Sequence, residues 1–262
     1  MTGEPRVLVE RRGSQGWITL NRPESRNPLD AGTAADVLAA FEEHFADPQV
    51  RSVVVTGAGD AFCAGGDLEQ MRRMPTLRAQ EAYEWPNAIV EMTRLMLRAP
   101  KPVIAAVNGP ALAGGMGLAG MCDIIVADRS ARFGTPEVKI GLFPMIIVAH
   151  LSRSLPRKRL LEMMLTGEPI DAEEGYRLGF VNRLVDGLAE MEETLRHYAT
   201  LFERVAPNAV RLGRRTFSVM ADITAEQALD AAQVFNTMFL GSDEFAEGTA
   251  AFFEKRRPSW SS

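Results

Sequence analysis

Two continuous apolar runs near the middle of the chain limit its possible folds more than any other feature. They are SVVVTG at residues 52–57 and PVIAAVNG at residues 102–109. Neither run alternates apolar with polar residues, which predicts strands that are buried on both faces of a parallel sheet. Parallel strands need crossover connections, and helical patterns lie between the runs. The sequence therefore predicts an α/β core with right-handed connections.

The flanking segments supply the remaining predicted elements. Segments 6–10 and 17–21 predict two short strands joined by a glycine-containing turn. Asp30 is placed to cap a helix whose apolar side chains recur at helical spacing, namely Val37, Leu38, Phe41 and Phe45. DIIVAD at 123–128 predicts a further strand. From about residue 150 the patterns are mostly helical, with one short strand predicted in FVNRLV, and no clear internal repeat is visible.

Composition excludes several classes of protein. The chain has 262 residues, 46% hydrophobic content and a net charge of −5, so no basic excess is present to bind nucleic acid. Its two cysteines favour a reducing compartment over a disulfide scaffold. The first residues lack the apolar core of a signal peptide, and no apolar run reaches the roughly 20 residues of a membrane span. We expect a soluble, cytoplasmic protein that binds neither nucleic acid nor membranes.

A glycine cluster follows the second apolar run, in NGPALAGGMGLAGMCD. Gly115, Gly117 and Gly120 match the spacing of a dinucleotide-binding turn. That turn needs an acidic residue about 20 positions further on, whereas Asp128 follows Gly120 too closely for a crossover helix. The match is therefore weak. The histidines are widely separated and show no metal-ligand spacing, so we expect neither a metal nor a bound cofactor.

A second interpretation pairs this cluster with GDAFCAGGDLEQM, which follows the first apolar run. Two strands then each lead into a glycine-rich turn at the start of a helix. Backbone N–H groups from both turns could converge as an oxyanion hole, where charge develops on a carbonyl oxygen. Glycine suits such a turn because a side chain would obstruct the substrate. Spacing alone favours two ordinary tight turns over an oxyanion hole.

Longer motifs favour the second interpretation. AFCAGGDL, NGPALAGGMGLAGMCD and FGTPEVKIGLFP resemble the enoyl-CoA hydratase/isomerase family, also called the crotonase family. LNRPESRNPLD, DAEEGYRLGFVNRLV and FFEKRRPSW resemble its other segments in the same order, so the resemblance spans nearly the whole chain. It implies a crotonase-like spiral of ββα repeats over residues 1–200 and a helical trimerisation region over 201–262. It also implies a homotrimer or a dimer of trimers, with an acyl-CoA thioester as the substrate.

The resemblance further implies the residues of the site. The N–H groups of Gly66 and Gly114 would hold the thioester oxygen, and Glu137 would be the acid/base. Substrate contacts are expected from Ala64, Gly65, Asp67, Leu68, Gly115, Pro136 and Leu142. The methionine-rich segment 71–86 is expected to form a wall over the acyl chain, and the other cluster glycines are expected to serve helix packing.

One position departs from the family pattern. Hydratases of the family commonly carry a second glutamate three residues after the second donor glycine, where this chain has Gly117. Asp67, Glu69 and Glu81 stay open as replacements. We predict hydratase-type chemistry with one glutamate. A 3,2-enoyl-CoA isomerase, which needs a single carboxylate, and a non-catalytic acyl-CoA-binding protein remain the alternatives.

Overall fold

The computed structural model describes residues 4–261, apart from the side chain of Leu68. The strands are β1 (Val7–Arg12), β2 (Gln15–Leu20), β3 (Ser52–Gly57), β4 (Val103–Val107), β5 (Ala111–Leu112), β6 (Ile124–Asp128), β7 (Arg132–Gly134), β8 (Ile170–Asp171) and β9 (Arg183–Val185). The α-helices are α1 (Ala31–Ala46), α2 (Leu68–Met71), α3 (Ala79–Glu84), α4 (Asn87–Leu97), α5 (Gly114–Met121), α6 (Met145–Ser154), α7 (Arg157–Thr166), α8 (Ala172–Arg177), α9 (Gly187–Glu203), α10 (Pro207–Met220), α11 (Ala225–Leu240) and α12 (Asp243–Glu254).

The larger sheet has the strand order β1-β2-β3-β4-β6-β9. Only β1 and β2 pair antiparallel, and the other neighbouring strands are parallel. The predicted α/β core is confirmed, with the first hairpin tighter than expected. Arg12 pairs with Gln15, because Gly13 takes a positive φ of 61° that permits a turn of two residues.

Helices cover both faces of this sheet, which explains the two continuous apolar runs. Val53 and Val55 of β3 point into the main core with residues of α1, α4 and α5. Val54, between them, packs into a second cluster with Met191 and Leu195 of α9. Successive residues of a strand face opposite sides, so both faces need apolar side chains here.

The smaller sheet contains β5, β7 and β8, and a parallel bridge between Cys63 and Ala111 extends it. After β3, β4 and β6 the chain passes from the larger sheet to the smaller one and then into one or more helices. This strand–strand–helix unit is the repeat that the family resemblance implies. No clear repeat is visible in the sequence, because the helices that follow each pair of strands differ in length and number.

The C-terminal part is helical, and the boundary that we predicted at residues 200 and 201 lies inside α9 (Gly187–Glu203). Helices α10 to α12 leave large apolar side chains in solvent, including Phe217 at 74%, Leu229 at 72% and Phe252 at 79% exposure. Among residues 4–261, no helix is both long enough and apolar enough to cross a bilayer.

Candidate active site

The register of the smaller sheet brings three predicted site residues to one end of neighbouring strands. Cys63 pairs with Ala111, and Ala111 pairs with Phe133, both in parallel. Gly66 and Gly114 each follow their paired residue by three positions, and Glu137 follows Phe133 by four. Neighbouring strands lie about 4.8 Å apart. The three residues therefore leave the sheet side by side.

The residue before each predicted donor has a positive φ angle. Gly65 has φ 101° and Ala113 has φ 50°. A Cβ added to Gly65 would lie 2.6 Å from the Ala113 Cβ, so only glycine allows the two turns to touch. Ala113 adopts backbone φ/ψ angles that L-residues rarely occupy. This local strain persists because Ala113 N–H donates to Gly134 O at 2.8 Å and the neighbouring Leu112 N–H donates to Cys63 O at 2.9 Å.

Two backbone N–H groups are left without an acceptor at this junction. Gly114 is the first residue of α5, where a helix has no internal partner for its N–H. Gly66 precedes α2 and lies outside any helix or strand. Within residues 4–261, neither N–H donates to another backbone group or to a side chain. Both residues line the same cavity, so both donors are available to a ligand.

Two adjoining cavities meet at this point. The first, of about 250 Å³, is largely apolar and is lined by side chains that include Met71, Met74, Trp85, Ile89, Leu142, Phe143 and Ile147. The second, of about 490 Å³, is also largely apolar, and its lining includes Ser25, Glu69 and Lys139. Residues shared by both cavities are Gly66, Asp67, Met71, Ala113 and Glu137. The methionine-rich segment 71–86 thus lines part of the first cavity; that it covers an acyl chain stays a prediction.

Glu137 lies between the two cavities on a short 3-10 segment, Pro136–Ile140. Its Oε2 atom is buried and has no hydrogen-bond partner in the described part of the chain. Burial raises the pKa of this carboxyl group above its ordinary value, although a hydrogen bond within the residue partly opposes the shift. A buried carboxylate without a cation is suited to accepting and returning a proton.

The other acidic side chains of the first cavity are already paired. Asp30 caps α1 by accepting from Thr33 N–H at 2.7 Å, and Arg22 donates to it at 2.7 Å. Burial acts to raise the Asp30 pKa, but these hydrogen bonds and the guanidinium charge outweigh it and hold the pKa below its ordinary value. Arg22 also donates to Asp67 at 3.3 Å. Both carboxylates are thereby held in fixed positions.

The structure provides no room for a second carboxylate at position 117. A Cβ added to Gly117 would lie 2.2 Å from Ile147 Cγ2, so α6 fills the space where that side chain would begin. His150, also on α6, contacts the Gly117 carbonyl through Nε2 at 3.0 Å. Burial lowers the pKa of His150 to about 4, so its ring is neutral and donates this bond.

The three residues left open as replacements do not supply the missing acid. Asp67 is paired with Arg22. Glu69 lines the second cavity but is 76% exposed and contacts Arg72. Glu81 is paired with Arg78 on α3 and lines neither cavity in the described part of the chain. Among the described residues, Glu137 is therefore the one cavity carboxylate without a basic partner, and its Oε2 atom is buried.

The remaining predicted residues fall into two groups. Ala64 and Pro136 line the second cavity, Leu142 lines the first, and Asp67 lines both. Gly65 and Gly115 are buried behind the lining, where a Cβ at Gly115 would lie 2.2 Å from Cys63 O. These two glycines shape the turns, and neither is among the described residues that line the two cavities. The side chain of Leu68 lies outside the described residues.

The cluster glycines and the cysteines have structural roles. A Cβ at Gly120 would lie 2.5 Å from Leu151, so this glycine lets α5 approach α6, as we predicted. Cys63 is fully buried, and burial raises the pKa of its thiol to about 12, which leaves no thiolate for nucleophilic chemistry.

Sequence reasoning missed Ile147, Phe143 and Arg22. Ile147 is one of several apolar residues on α6, and nothing in the pattern distinguishes it from ordinary core. Arg22 lies in the segment LNRPESRNPLD, yet its two carboxylate partners lie on different elements. Only the folded arrangement reveals either role.

Comparison with known proteins identifies the family of the chain. The model of the family described as enoyl-CoA hydratase/isomerase matches residues 10–262. A Thermus thermophilus protein whose name includes "enoyl-CoA hydratase" is 38% identical over 252 residues, covering 96% of this chain and 99% of that protein. The short-chain-enoyl-CoA hydratase of Clostridium acetobutylicum is 33% identical over 255 residues, covering 96% of this chain and 95% of that protein.

Solved structures give the same result. A crystal structure of an enoyl-CoA hydratase from Mycobacterium smegmatis matches with a TM-score of 0.90 and 35% identity, covering 99% of this chain and 100% of that one. An enoyl-CoA hydratase structure from Polaromonas matches with a TM-score of 0.89 and 32% identity, covering 97% of this chain and 98% of the other. The chain therefore belongs to the enoyl-CoA hydratase/isomerase, or crotonase, family, and the protein is an enzyme of that family.

Proposed function

We propose that the protein adds water to the double bond of a 2-enoyl-CoA thioester, with Glu137 as its single acid/base. The observation that carries this proposal is the buried, unpartnered Oε2 of Glu137, in the same cavity as the two open N–H donors. The names of the relatives support hydration over other reactions of the family.

The two donors would act on the thioester oxygen. As water adds to Cβ, electrons move onto that oxygen and form an enolate, which the N–H groups of Gly66 and Gly114 stabilise. Loss of one such donor typically costs about 3 kcal/mol of transition-state stabilisation. The donors are preorganised, because Gly65 and Ala113 fix the orientation of the peptide units that follow them.

Glu137 would carry the proton through both half-steps. The carboxylate accepts a proton from water as the water oxygen bonds to Cβ. The resulting carboxylic acid then donates that proton to Cα as the enolate collapses, so the enzyme ends in its starting state. A raised pKa suits this cycle, because it makes the carboxylate a better base near neutral pH.

Isomerisation of a 3-enoyl-CoA is the second candidate, and the filled space at Gly117 favours it. Here Glu137 would remove a proton from Cα and return it to Cγ, and the same two N–H donors would stabilise the dienolate formed between the two steps. This reaction requires no second group to hold a water molecule, and so it fits a site with one carboxylate.

One pair of assays separates these candidates. With a 2-enoyl-CoA such as crotonyl-CoA, hydration removes the absorbance of the conjugated thioester. With 3-hexenoyl-CoA, isomerisation creates that absorbance. Glu137→Gln is expected to abolish turnover, and Glu81→Gln, at an exposed and ion-paired glutamate, is the matched control that should keep it.

Each outcome has a definite meaning. Turnover of the 3-enoyl substrate alone would replace hydratase with isomerase. Binding of both thioesters without turnover would indicate a non-catalytic acyl-CoA-binding protein. Full activity of Glu137→Gln would refute the assigned acid/base.

We also propose that copies of this chain associate as a homotrimer or a dimer of trimers through the C-terminal helices, from residue 201 onward. The exposed Phe217, Leu229 and Phe252 support this, because large apolar patches on a soluble surface mark interaction sites. Sedimentation at several concentrations would test it, and a monomer throughout would contradict it.

The two free cysteines support a cytoplasmic location.

A further inference from the structure

Arg22 connects two carboxylates that belong to different parts of the site. Its Nη1 atom donates to Asp30 Oδ2 at 2.7 Å, and its Nη2 atom donates to Asp67 Oδ2 at 3.3 Å. The three side chains are mostly buried, with 26% exposure for Arg22, 5% for Asp30 and 16% for Asp67. Arg22 itself does not line either cavity in the described part of the chain. It can therefore act on a ligand only through its partners.

Asp67 is the partner that reaches the proposed oxyanion hole, because it directly follows Gly66. Its Oδ1 atom accepts from Glu69 N–H at 3.0 Å and Gln70 N–H at 3.3 Å, which fixes the first turn of α2. Its Oδ2 atom is held by Arg22. The peptide unit that carries the Gly66 N–H joins Gly65 to Gly66, so it lies one residue before Asp67.

Asp30 is the fixed end of the arrangement. It accepts from Thr33 N–H at the start of α1 and from Gln70 Nε2 at 3.1 Å. The backbone next to Asp30 also holds the turn at Gly65 and Gly66, because Leu29 N–H donates to Gly65 O at 2.7 Å. The Arg22 side chain adds ion pairs that connect α1, which packs in the core, to the turn at residues 65–67. That turn belongs to no sheet and no long helix.

From these contacts we infer that Arg22 is a positioning residue that sets the direction of the Gly66 N–H by bridging Asp30 and Asp67. The inference rests on the proposed function, since it assigns that N–H to the thioester oxygen. Without the guanidinium, two carboxylates would stand close together in a largely buried region with no cation. Asp67 would then move toward water, and its backbone would displace Gly66 and change the direction of the Gly66 N–H.

The bridge between Asp30 and Asp67 requires the separate donor nitrogens of a guanidinium group and not merely a positive charge. Arginine contacts the two carboxylates through separate nitrogen atoms, whereas lysine presents one compact ammonium group. We expect Arg22→Met and Arg22→Lys to lower kcat by roughly 10- to 100-fold, because a displacement of about 1 Å at a reacting centre has effects of that size. KM should change less, since the apolar wall is untouched. Arg22→Met/Asp67→Asn should recover part of the loss, because it removes the uncompensated charge.

Arg129→Met is the matched control. Arg129 also bridges two carboxylates, those of Glu173 and Asp186, but it does so on the surface and away from both cavities. This variant should keep kcat. Thermal unfolding of every variant shows whether a loss of activity merely reflects loss of folded protein.

The decisive readout is spectroscopic and needs no turnover. A conjugated 4-dimethylaminocinnamoyl-CoA absorbs at longer wavelength when donors polarise its thioester carbonyl. The wild-type enzyme should shift this band to the red, Arg129→Met should keep the shift, and both Arg22 variants should lose most of it. A wild-type enzyme that binds the probe without a shift would contradict the proposed function itself. A shift kept in full by folded Arg22→Met would overturn only the role of Arg22, and so would restoration of kcat by Arg22→Lys.

Discussion

Substitution of Gly117 by alanine tests whether α6 truly fills the place of a second carboxylate. Gly117 lies within α5, where alanine is favoured over glycine by about 1 kcal/mol. The new Cβ would lie 2.2 Å from Ile147 Cγ2 and 3.0 Å from Ile147 Cβ, far inside contact distance. Overpacking of this kind typically costs about 1–3 kcal/mol. The two terms together predict a net change between zero and roughly 2 kcal/mol of destabilisation.

Gly213→Ala is the matched control for this experiment. Gly213 also lies inside a helix, α10, but a Cβ added there meets nothing within 4 Å. It should gain about 1 kcal/mol of stability from helix propensity alone. The difference between the two variants in the free energy of unfolding, measured by urea titration, isolates the contact with Ile147. Equal gains in both variants would refute the close approach of α5 and α6.

A double-mutant cycle identifies the partner. Ile147 is 5% exposed, so Ile147→Ala alone should destabilise the protein by about 2–5 kcal/mol through loss of buried contacts. It also removes the Cγ2 atom that Gly117→Ala would meet. The double variant should therefore be more stable than the sum of the single effects by about 1 kcal/mol or more. Strict additivity would show that another residue resists the alanine.

Three further predictions follow from the site. Burial raises the pKa of Glu137 in the folded protein, so stability is lost as pH rises from below the ordinary glutamate pKa through the folded-state pKa. Glu137→Gln removes this loss. The variant should therefore raise Tm at about pH 7.5 and raise it less at about pH 4. The pKa of His150 falls from 6.5 to about 4, so stability present above 6.5 is lost as pH decreases toward 4. By linkage this loss approaches about 3 kcal/mol, and His150→Gln should flatten the acid limb of a Tm–pH profile. Gly65→Ala should lower both Tm and kcat, because φ 101° and a Cβ 2.6 Å from the Ala113 Cβ force the two donor turns apart; unchanged kcat would contradict the donor geometry.

The sequence predicted the larger sheet well, for an identifiable physical reason. Residues 52–57 and 102–109 are apolar on both faces, and that pattern is specific to strands covered on two sides. The smaller sheet was not predicted, because β5 and β8 contain only two residues each and carry no periodicity. Its register depends on bridges such as Cys63 to Ala111, which join elements that are far apart in the chain.

Prediction of the site succeeded for residues in recognisable motifs and failed for residues whose roles depend on side-chain geometry. The donor turns and Glu137 lie in motifs that can be recognised as short strings, so the resemblance named them. The absence of a glutamate at position 117 was also visible. Whether another acid replaced it was not, because that depends on the ion pairs of Asp67, Glu69 and Glu81, each set by side-chain geometry.

The smaller sheet also explains why a site with one carboxylate keeps its other parts in place. Cys63 pairs with Ala111, and Ala111 pairs with Phe133, so backbone pairing brings Gly66, Gly114 and Glu137 to the same end of neighbouring strands. Position 117 lies one helical turn beyond Gly114, where α6 and not the sheet determines what fits. A change on α6 can therefore remove or admit a second acid without disturbing the donors. This separation predicts that variants of Ile147 alter which acyl-CoA reaction is favoured, while the red shift of a bound conjugated thioester stays constant. A red shift that changes with Ile147→Ala would show that α6 and the two donor turns are coupled.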